Sequence, residues 1–421
     1  MISQFLAHRN LGWRMVAVAF FVDFVAVGFF FYSFGVFFKA IAAEFGDSRL
    51  GVSLGFTATN IVGAIAAPLL GRALDIYPLR RIIALGCISM TIGFLLLSQV
   101  TTQMEFYLVL GIFIGFGASS MGGLATAKLI ANWFNKRRGR ALGIAATGIS
   151  VSGVVMPFVS AALIDNFGWR MGFVAYGCFT GLVVLPLVLR LVVSKPADVG
   201  LLQDGGLMLR RDPAAPSAAA SVAAAVAAPV DIPVFRERNF WVLVVATGLL
   251  FCCQSATLTH MVPRVTDTGV SLQLASLMIS LCAGLGVAGK LTFGWFGDFW
   301  SARKAFWLAI CSQFIGQLLM LWGTHNLPLF AVGAALFGFG MGGIVPLQGA
   351  LIGRVFGSDR FGRALGLMRP AMLPLQMIGV PLAGWVYDVT GSYQPVFQLF
   401  LVLYALAALV IVLFREPAVN R

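Results

Sequence analysis

Three charged side chains stand inside long apolar stretches of this sequence. Asp23 lies within AVAFFVDFVAVGFFFY, Lys290 within CAGLGVAGKLTFGW and Arg369 within RALGLMRPAMLPLQ. A charge in such surroundings is unfavourable unless it faces water or a partner, so each residue is a candidate for function. A buried carboxyl group can take up and release a proton, and a buried cation can bind a carboxylate. We therefore predict that Asp23 couples a proton and that Lys290 and Arg369 bind an organic anion.

The two cations also have structural interpretations. Lys290 lies about one turn from a predicted cytoplasmic loop, and its long side chain could reach the membrane interface. Arg369 could bond to backbone carbonyls that Pro370 and Pro374 leave free in the same helix. The sequence leaves both alternatives open.

Tyr32 and His260 are two further candidates. The phenol of Tyr32 could donate to a carboxylate and orient it, although aromatic packing explains the residue nearly as well. His260, near the predicted outer end of the seventh helix, could line an entrance, titrate with pH or be a satisfied interfacial group. The sequence contains no nucleophile and base pair, no metal cluster and no phosphate loop. We therefore predict that the protein is not an enzyme and has no catalytic residue, metal site or cofactor.

The segments that carry these residues are long enough to cross a membrane. Of the 421 residues, 59% are hydrophobic and 11% are charged, and the mean hydropathy is +0.92. An α-helix needs about 20 apolar residues to cross the hydrocarbon core, and about twelve such runs recur along the chain. We predict an all-α membrane protein with twelve transmembrane helices.

The positive charges predict its orientation. The formal net charge is +13, and Lys and Arg gather at the termini and at every second loop between predicted helices. Cytoplasmic loops of membrane proteins carry such an excess of positive charge. We therefore expect both termini in the cytoplasm, a lipid bilayer around the helices and no nucleic-acid partner.

The sequence repeats itself at a constant offset of 223 residues. GRALDIYPLRR (71–81) matches GWFGDFWSARK (294–304), GFG recurs at 115–117 and 338–340, GRALG recurs at 139–143 and 362–366, and Asp165 and Gly168 match Asp388 and Gly391. Four matches in register predict two six-helix bundles with the same orientation. We place the bundles at residues 1–193 and 239–421, with an alanine- and proline-rich cytoplasmic linker at 194–238.

The first of these matches predicts a pair of gating loops. Each copy has a glycine, an aspartate and two cations, namely Gly71, Asp75, Arg80 and Arg81 in one loop and Gly294, Asp298, Arg303 and Lys304 in the other. A glycine lets neighbouring helices approach closely, and an aspartate can accept bonds from helix N-termini or from nearby cations. We predict a latch that holds one conformation and releases another. The alternative is that these charges only set the topology.

The duplicated motif after the second and eighth helices resembles the major facilitator superfamily. WFNKRRGRALGIAATGISVSG (133–153) is similar to the fifth-helix signature of its monocarboxylate porter family, and SFGVFFKAI (33–41) is similar to the end of that family's first helix. FGWR (167–170), KPADVGLLQDG (195–205) and HMVPRVTDTGVS (260–271) resemble its bacterial branch, which includes relatives of oxalate/formate exchangers. The resemblance implies a multi-pass protein of a bacterial inner (plasma) membrane.

The resemblance also implies secondary active transport of a small organic anion by alternating access. Monocarboxylate porters resemble one another in carrying a cation at the position of Lys290, and dicarboxylate exchangers carry a second one in the eleventh helix, where Arg369 stands. The family's usual acid, four residues before the first cation, is Gly286 here, so proton coupling is not carried over directly. We expect a monomeric, proton-coupled monocarboxylate symporter. A mono/dicarboxylate exchanger is the alternative, and a drug exporter or a transporter-like sensor is less favoured.

Overall fold

The computed structural model describes residues 11–46, 48–134, 138–203, 234–299 and 301–415. In the first half, α1 comprises Leu11–Val27, the π-helical turn Gly28–Tyr32 and Ser33–Glu44; α2 is Arg49–Ile76, α3 is Leu79–Leu97, and α4 comprises Gln103–Val109, Leu110–Gly115, Phe116–Met121 and Gly123–Trp133. The helix Arg138–Phe179 changes direction at Gly168, so that α5 is 138–167 and α6 continues from 169 through Thr180–Val184 to Leu185–Leu191.

The second half has the same number of crossings. Helix α7 is Arg238–Thr266, α8 is Leu272–Phe299 and α9 is Ala302–Trp322. The long helix Leu327–Thr390 contains two apolar segments, α10 (Leu327–Phe356) and α11 (Ala364–Thr390), and α12 is Gln394–Val412.

Within the described ranges, eleven helices are long and apolar enough to cross a membrane. The one at Ala141–Leu191 has 51 residues and contains the turn at Gly168, so it crosses twice. This confirms the predicted all-α architecture with twelve transmembrane helices. An even number of crossings leaves both ends of the chain on one side, here called the terminal face; the other side is called the opposite face. Odd-numbered helices run from the terminal face to the opposite face.

Side-chain caps begin several of these helices. Ser48 Oγ accepts from a backbone N–H in the first turn of α2, and Ser301 Oγ does the same for α9. Thr102 and Glu105 form a reciprocal capping box at the start of α4. The first N–H groups of a helix have no partner within the helix, so these polar residues define where α2, α4 and α9 begin.

The internal repeat is visible in the backbone. Gly168 follows α5 and Gly391 follows α11, and their φ angles are 78° and 69°. A residue with a Cβ is disfavoured in this left-handed region, so equivalent turns end the fifth helix of each half at a glycine.

Residues 194–203 lie against the end of α4. Trp133 Nε1 donates to the carbonyl of Val193 at 2.8 Å, and Asn132 Nδ2 donates to that of Ser194 at 3.0 Å. The following part of the predicted linker, 204–233, lies outside the described residues. The boundaries of the two bundles stay a prediction.

Helices α8 and α10 approach closely through glycines. A Cβ built at Gly289 would lie 1.9 Å from the carbonyl oxygen of Phe339, and one built at Gly338 would lie 2.0 Å from that of Cys282. No side chain fits at these distances, so the backbones themselves form the contact.

Gly338→Ala should therefore destabilise the protein, because the added methyl group forces α8 and α10 apart. Overpacking of this kind costs about 1–3 kcal/mol, and more where the obstacle is backbone. Thermal unfolding in detergent measures the effect. The matched control is Gly349→Ala on the same helix, where an added Cβ meets no heavy atom within 4 Å. Equal melting temperatures for the two variants would contradict the prediction.

Candidate functional site

Lys290 joins the two halves near the middle of the membrane. Its Nζ donates to Ser150 Oγ at 2.5 Å, and Ser150 stands on α5 of the first half. Twelve residues separate Ser150 from the start of α5, which corresponds to about 18 Å. Helical side chains lean toward the N-terminus of their helix, so Lys290 extends along α8 toward the opposite face. It does not reach the loop at the terminal face.

Within the described residues no carboxylate contacts Lys290. The residue is half-buried, and Ser150 is the hydrogen-bond partner that the structure gives it. An ammonium group has three donors, so Lys290 can bind an anion without releasing Ser150. A partly desolvated cation attracts anions more strongly than an exposed one does.

Tyr32 lies beside the same part of α5. A Cβ built at Gly153 would lie 2.7 Å from Cζ of Tyr32 and 2.7 Å from Cβ of Ala283, so α1, α5 and α8 meet there. Gly153 and Ser150 are three residues apart and share one face of α5. The structure therefore brings Tyr32 to within about one helical turn of the point that Lys290 reaches.

Asp23 is buried between α1 and α4. Its two carboxylate oxygens each lie 3.0 Å from Oγ1 of Thr126, which donates, and the backbone N–H of Gly123 donates as well. Gly123 begins a new segment of α4 after the helix breaks at Gly122. Asp23 thus caps a helix N-terminus from a neighbouring helix, a role in which its negative charge is favourable. Sequence reasoning missed this role, since nothing in the sequence marks the break in α4 as a neighbour of Asp23.

Arg369 lies on the face of α11 that turns toward α2. Leu373 and Met377, one and two turns further along that face, line an apolar groove of about 660 Å³ between the two helices. The side chain of Arg369 is exposed. Among the described residues, no hydrogen bond or ion pair joins it to Lys290, so this conformation does not bring the two predicted cations together.

The predicted gating loops lie at the terminal face. Gly71 and Gly294 meet no described heavy atom within 4 Å of a built Cβ, so the described residues make no close helix approach at these glycines in this conformation. The side chains of Asp75 and Asp298 lie outside the described residues.

The cations of the two loops contact other segments. The backbone N–H of Arg80 donates to Ser194 Oγ at 3.4 Å, and Arg303 Nη1 donates to the carbonyl of Phe414 at 2.9 Å. Arg81 and Lys304 are exposed. These two described contacts each lie within one half.

A network centred on Arg49 joins the two halves at the opposite face. The guanidinium at the start of α2 donates from Nη1 and Nη2 to the two oxygens of Asp267, at 2.7 and 2.8 Å, and from Nη1 to the hydroxyl of Tyr393 at 2.7 Å. Lys39 Nζ, at the end of α1, lies 3.0 Å from Asp267 Oδ1. The Arg49 guanidinium also stacks on the ring of Tyr387, 3.4 Å from its centre. Asp267, Tyr387 and Tyr393 belong to the second half, so these contacts close this face.

The charge of Asp267 is stabilised by this network. Burial raises the pKa of its carboxyl group, but the hydrogen bonds and charges of Arg49 and Lys39 lower it by more, so that the pKa lies below its ordinary value. A lowered pKa means that the ion pairs stabilise the closed face at neutral pH and lose that effect only as the pH falls through the lowered value.

The repeated aspartates form a second pair of contacts across the halves. Asp388, at the end of α11, accepts from the backbone N–H groups of Arg49 and Leu50 at 2.8 and 2.9 Å and from Ser48 Oγ at 3.0 Å. Its repeat equivalent Asp165, at the end of α5, accepts from Gln273 at the start of α8. Each aspartate therefore binds the first turn of a helix in the other half, where a negative charge is favoured.

His260 belongs to the same closed region. It is fully buried, with Nδ1 3.0 Å from the hydroxyl of Tyr393 and Nε2 3.0 Å from the carbonyl of Val380. Its ring also contacts Phe38 of the first half edge-on. In this conformation His260 packs between the halves and does not line an open entrance.

The contacts between the halves distinguish the two faces. At the opposite face the backbones touch, because a Cβ at Gly35 would lie 2.8 Å from the carbonyl oxygen of Thr259 and one at Gly384 would lie 2.7 Å from that of Arg49. At the terminal face, the described contacts of Arg80 and Arg303 stay within their own halves. The described residues therefore show the two halves closed against each other at the opposite face.

Sequence reasoning missed the residues of this closure. Lys39 and Arg49 flank a loop that carries little positive charge, and their types and spacing did not mark them as candidate site residues. A signal was available, because Asp165 and Asp388 match at the repeat offset and both end a predicted helix. The sequence could not indicate which helix each aspartate contacts.

Asp388→Asn should loosen the opposite face, since an amide loses the negative charge and one of the acceptor oxygens at the start of α2. Helix-terminus charges and single hydrogen bonds each contribute about 1 kcal/mol, so opening should rise about fivefold. The labelling rate of a cysteine placed at Ser53, which is fully buried beside His260 of the second half, reports this opening.

Asp198→Asn is the control for that experiment. Asp198 likewise accepts from a backbone N–H, that of Lys195, but it lies at the terminal face and within one half. Labelling at position 53 should not change in this variant. Equal rates for Asp388→Asn and the parent protein would show that Asp388 does not hold the face closed.

Comparisons with known proteins agree with this architecture. A family model described as Major Facilitator Superfamily matches residues 16–322 and 262–421. Monocarboxylate transporter 13 of Bos taurus is 27% identical over 390 residues, covering 92% of this chain and 85% of the relative. Monocarboxylate transporter 11 of Homo sapiens is 25% identical over 405 residues, covering 92% and 79%.

Solved structures share the fold. The crystal structure of a D-xylose-proton symporter superposes with a TM-score of 0.75 at 14% identity, covering 97% of this chain and 98% of that one. The crystal structure of a mutant of the nucleoside transporter NupG gives a TM-score of 0.74 at 14% identity, covering 97% and 100%. With the family match and the twelve membrane crossings, these comparisons confirm the predicted family and the prediction that the protein is not an enzyme: the chain is a multi-pass membrane transporter that belongs to the Major Facilitator Superfamily.

Proposed function

We propose that the protein is a secondary active transporter of small organic anions, specifically a proton-coupled monocarboxylate symporter that works by alternating access. The observation that carries this proposal is the position of Lys290. It is a half-buried cation in the middle of the membrane, bonded across the halves to Ser150, and no described carboxylate contacts it. Similarity to monocarboxylate transporters over most of the chain supports the same substrate class.

The substrate carboxylate would bind Lys290 between α5 and α8. The ammonium donates to the carboxylate, and the hydroxyl of Tyr32, about one turn away along α5, donates a further hydrogen bond and orients it. Charge-assisted hydrogen bonds are strong where water is excluded, so a small anion gains most of its binding free energy from this one group. Arg369 would supply a second positive charge when α11 moves during the cycle.

We further propose that the terminal face is cytoplasmic, as the clustering of Lys and Arg predicts, and that the protein lies as a monomer in a bacterial inner membrane. The present conformation is then inward-facing. The loops at Gly71–Arg81 and Gly294–Lys304 would close the cytoplasmic face in the other conformation, and residues 194–238 would link the bundles 1–193 and 239–421.

The proton would be carried by Asp23, the buried acid of the first half. Asp23→Asn separates this role from the capping role, because the amide oxygen still accepts from Thr126 and Gly123 while the group no longer titrates. We expect Asp23→Asn to abolish acceleration of uptake by an imposed proton gradient and to leave carboxylate counterflow nearly unchanged, while stability falls by about 1 kcal/mol because the charge at the helix N-terminus is lost. Uptake that still follows the gradient would remove Asp23 from the coupling mechanism.

An exchanger of monocarboxylate for dicarboxylate is the second candidate. The observation that favours it is the engagement of Asp23 by Thr126 and Gly123, away from Lys290. If no acid shares a proton with the substrate site, Lys290 and Arg369 stay charged throughout the cycle, and each crossing then requires a bound anion.

Uptake into proteoliposomes tests the proposal. Radiolabelled lactate, pyruvate, formate, oxalate and an aromatic carboxylate are offered with and without a proton gradient, to the parent protein and to Lys290→Ala. Gradient-driven uptake of one carboxylate that is lost in the variant supports the symporter. Uptake that requires an internal anion and does not respond to the proton gradient supports the exchanger instead of the symporter. If no carboxylate enters, the proposed substrate class is wrong.

A further inference from the structure

We propose that Lys39 and Arg49 form an outer anion-capture site, which receives the substrate carboxylate when the opposite face is open and which Asp267 occupies while that face is closed. The inference rests on the proposed function for its ligand class, a small organic carboxylate. It adds a second binding site, at the far end of the transport path from Lys290.

The side chains around Asp267 form a complete carboxylate site. Two nitrogens of Arg49 reach the two oxygens at 2.7 and 2.8 Å, and Lys39 Nζ reaches one of them at 3.0 Å. A guanidinium that grips both oxygens of a carboxylate is the preferred arrangement for recognition of this group. Arg49 is only 7% exposed, so its charge is largely desolvated. The pair therefore has the geometry and the charge to hold a carboxylate, and in this conformation it holds one.

The cations and the carboxylate belong to different halves. Lys39 ends α1 and Arg49 begins α2, so a short loop keeps them together in the first half. Asp267 follows α7 in the second half. The two tyrosines that contact Arg49 also belong to the second half, Tyr387 near the end of α11 and Tyr393 just before α12. When the halves separate at this face, Asp267 must leave, while Lys39 and Arg49 remain neighbours.

The first half offers little to replace Asp267. Glu44, the acid at the end of α1, is engaged by Arg170 at 2.7 Å. Arg170 also donates to the carbonyls of Ser98 and Val100, which hold it in place. Asp47, in the loop between the two cations, lies outside the described residues, and the variant Asp47→Asn tests whether it replaces Asp267. Two adjacent cations at the mouth of an open cavity raise the local concentration of anions and repel cations.

Closure of the face would then drive the anion onward. Asp267 and the bound substrate compete for the same nitrogens, so the return of Asp267 displaces the carboxylate from Lys39 and Arg49. The next positive charge along the path is Lys290. The competition couples closure of the outer face to transfer of the anion into the centre of the membrane.

Chemical rescue tests the site without requiring transport. Asp267→Ala removes the carboxylate and leaves its space empty, so the melting temperature should fall and sodium acetate should recover most of the loss. Neither sodium chloride at equal ionic strength nor acetamide should recover the melting temperature. Asp267→Asn keeps the space filled, so it should lose stability without rescue by acetate.

Two further variants assign the rescue to the cations. Lys39→Gln combined with Asp267→Ala should weaken the rescue, so that about tenfold more acetate is needed, as for the loss of one charge-assisted hydrogen bond. Asp47→Asn combined with Asp267→Ala should leave it unchanged. The inference would be overturned if acetate did not raise the melting temperature of Asp267→Ala. It would also be overturned if acetate raised the melting temperatures of all variants and the parent protein equally.

A flux measurement with labelled L-lactate extends the test to the intact site. Lys39→Gln should raise the KM for lactate added at the opposite face about tenfold, with little change in the KM at the terminal face, and Lys39→Arg should restore it. A purely structural role for Lys39 would change both faces equally. If the parent protein does not move lactate, the proposed function fails for that anion, and the acetate rescue alone decides on the capture site.

Discussion

Lys290→Ala should reduce carboxylate uptake by about 30-fold or more. Removal of one partner from a desolvated charge pair costs roughly 2–5 kcal/mol, and here the missing partner is the cation that would hold the substrate. The variant leaves Ser150 and the backbone contacts of α8 with α10 in place, so the protein should still fold. Initial rates of uptake into proteoliposomes, at equal amounts of folded protein, measure the loss.

Two matched variants show whether the loss comes from the charge. Lys290→Arg keeps the positive charge and should retain measurable uptake with a changed KM. Ser150→Ala removes the hydroxyl partner of the ammonium but not the cation, so its effect should be much smaller than that of Lys290→Ala. Uptake by Lys290→Ala at the parent rate, or an equal loss in Ser150→Ala, would show that Lys290 has only a packing role.

Arg49→Gln should shift the protein toward an outward-open conformation. The substitution removes two bonds to Asp267, one to Tyr393 and the stacking on Tyr387, all of which cross between the halves. Loss of a largely buried ion pair costs about 3–5 kcal/mol, and we expect about 2 kcal/mol here because Lys39 still pairs with the partly exposed Asp267. That free energy changes the ratio of conformations about 30-fold.

Spin-label distances measure this shift. Labels on cysteines placed at Met104 and Trp322, two exposed positions near the opposite face on different halves, should show a longer distance in Arg49→Gln, in a background where the exposed Cys178 is serine. Arg170→Gln is the control, because it breaks a 2.7 Å ion pair with Glu44 that lies within one half. A short distance in Arg49→Gln would contradict the closure that we describe.

The buried acid shows how much a residue's type alone leaves undecided. Asp23 is conspicuous in the sequence because it is charged within an apolar run, and this predicts a proton carrier. The structure shows that its carboxylate also caps the segment of α4 that begins at Gly123. The two roles use the same oxygens, and only the position of α4 revealed the second one.

The internal repeat predicts which residues are equivalent but not which residues they contact. The offset of 223 residues predicts that Asp165 and Asp388 are equivalent, and both end the fifth helix of their half before a glycine with positive φ. Equivalence does not say what either residue contacts. In the structure each reaches the first turn of a helix in the other half, so the duplication in sequence becomes a pair of contacts between the halves.

The sequence by itself determined the class, the number of helices and the family of this protein. These properties depend on hydropathy over about 20 residues, on charges in short loops and on matches at a fixed offset, all of which are local or additive along the chain. The contacts that hold one face closed were decided by the tertiary structure alone. Arg49 and Asp267 are 218 positions apart, and Arg49 and Tyr393 are 344 apart. Such pairs form only when particular helices pack in a particular conformation, and the same residues separate when that conformation changes.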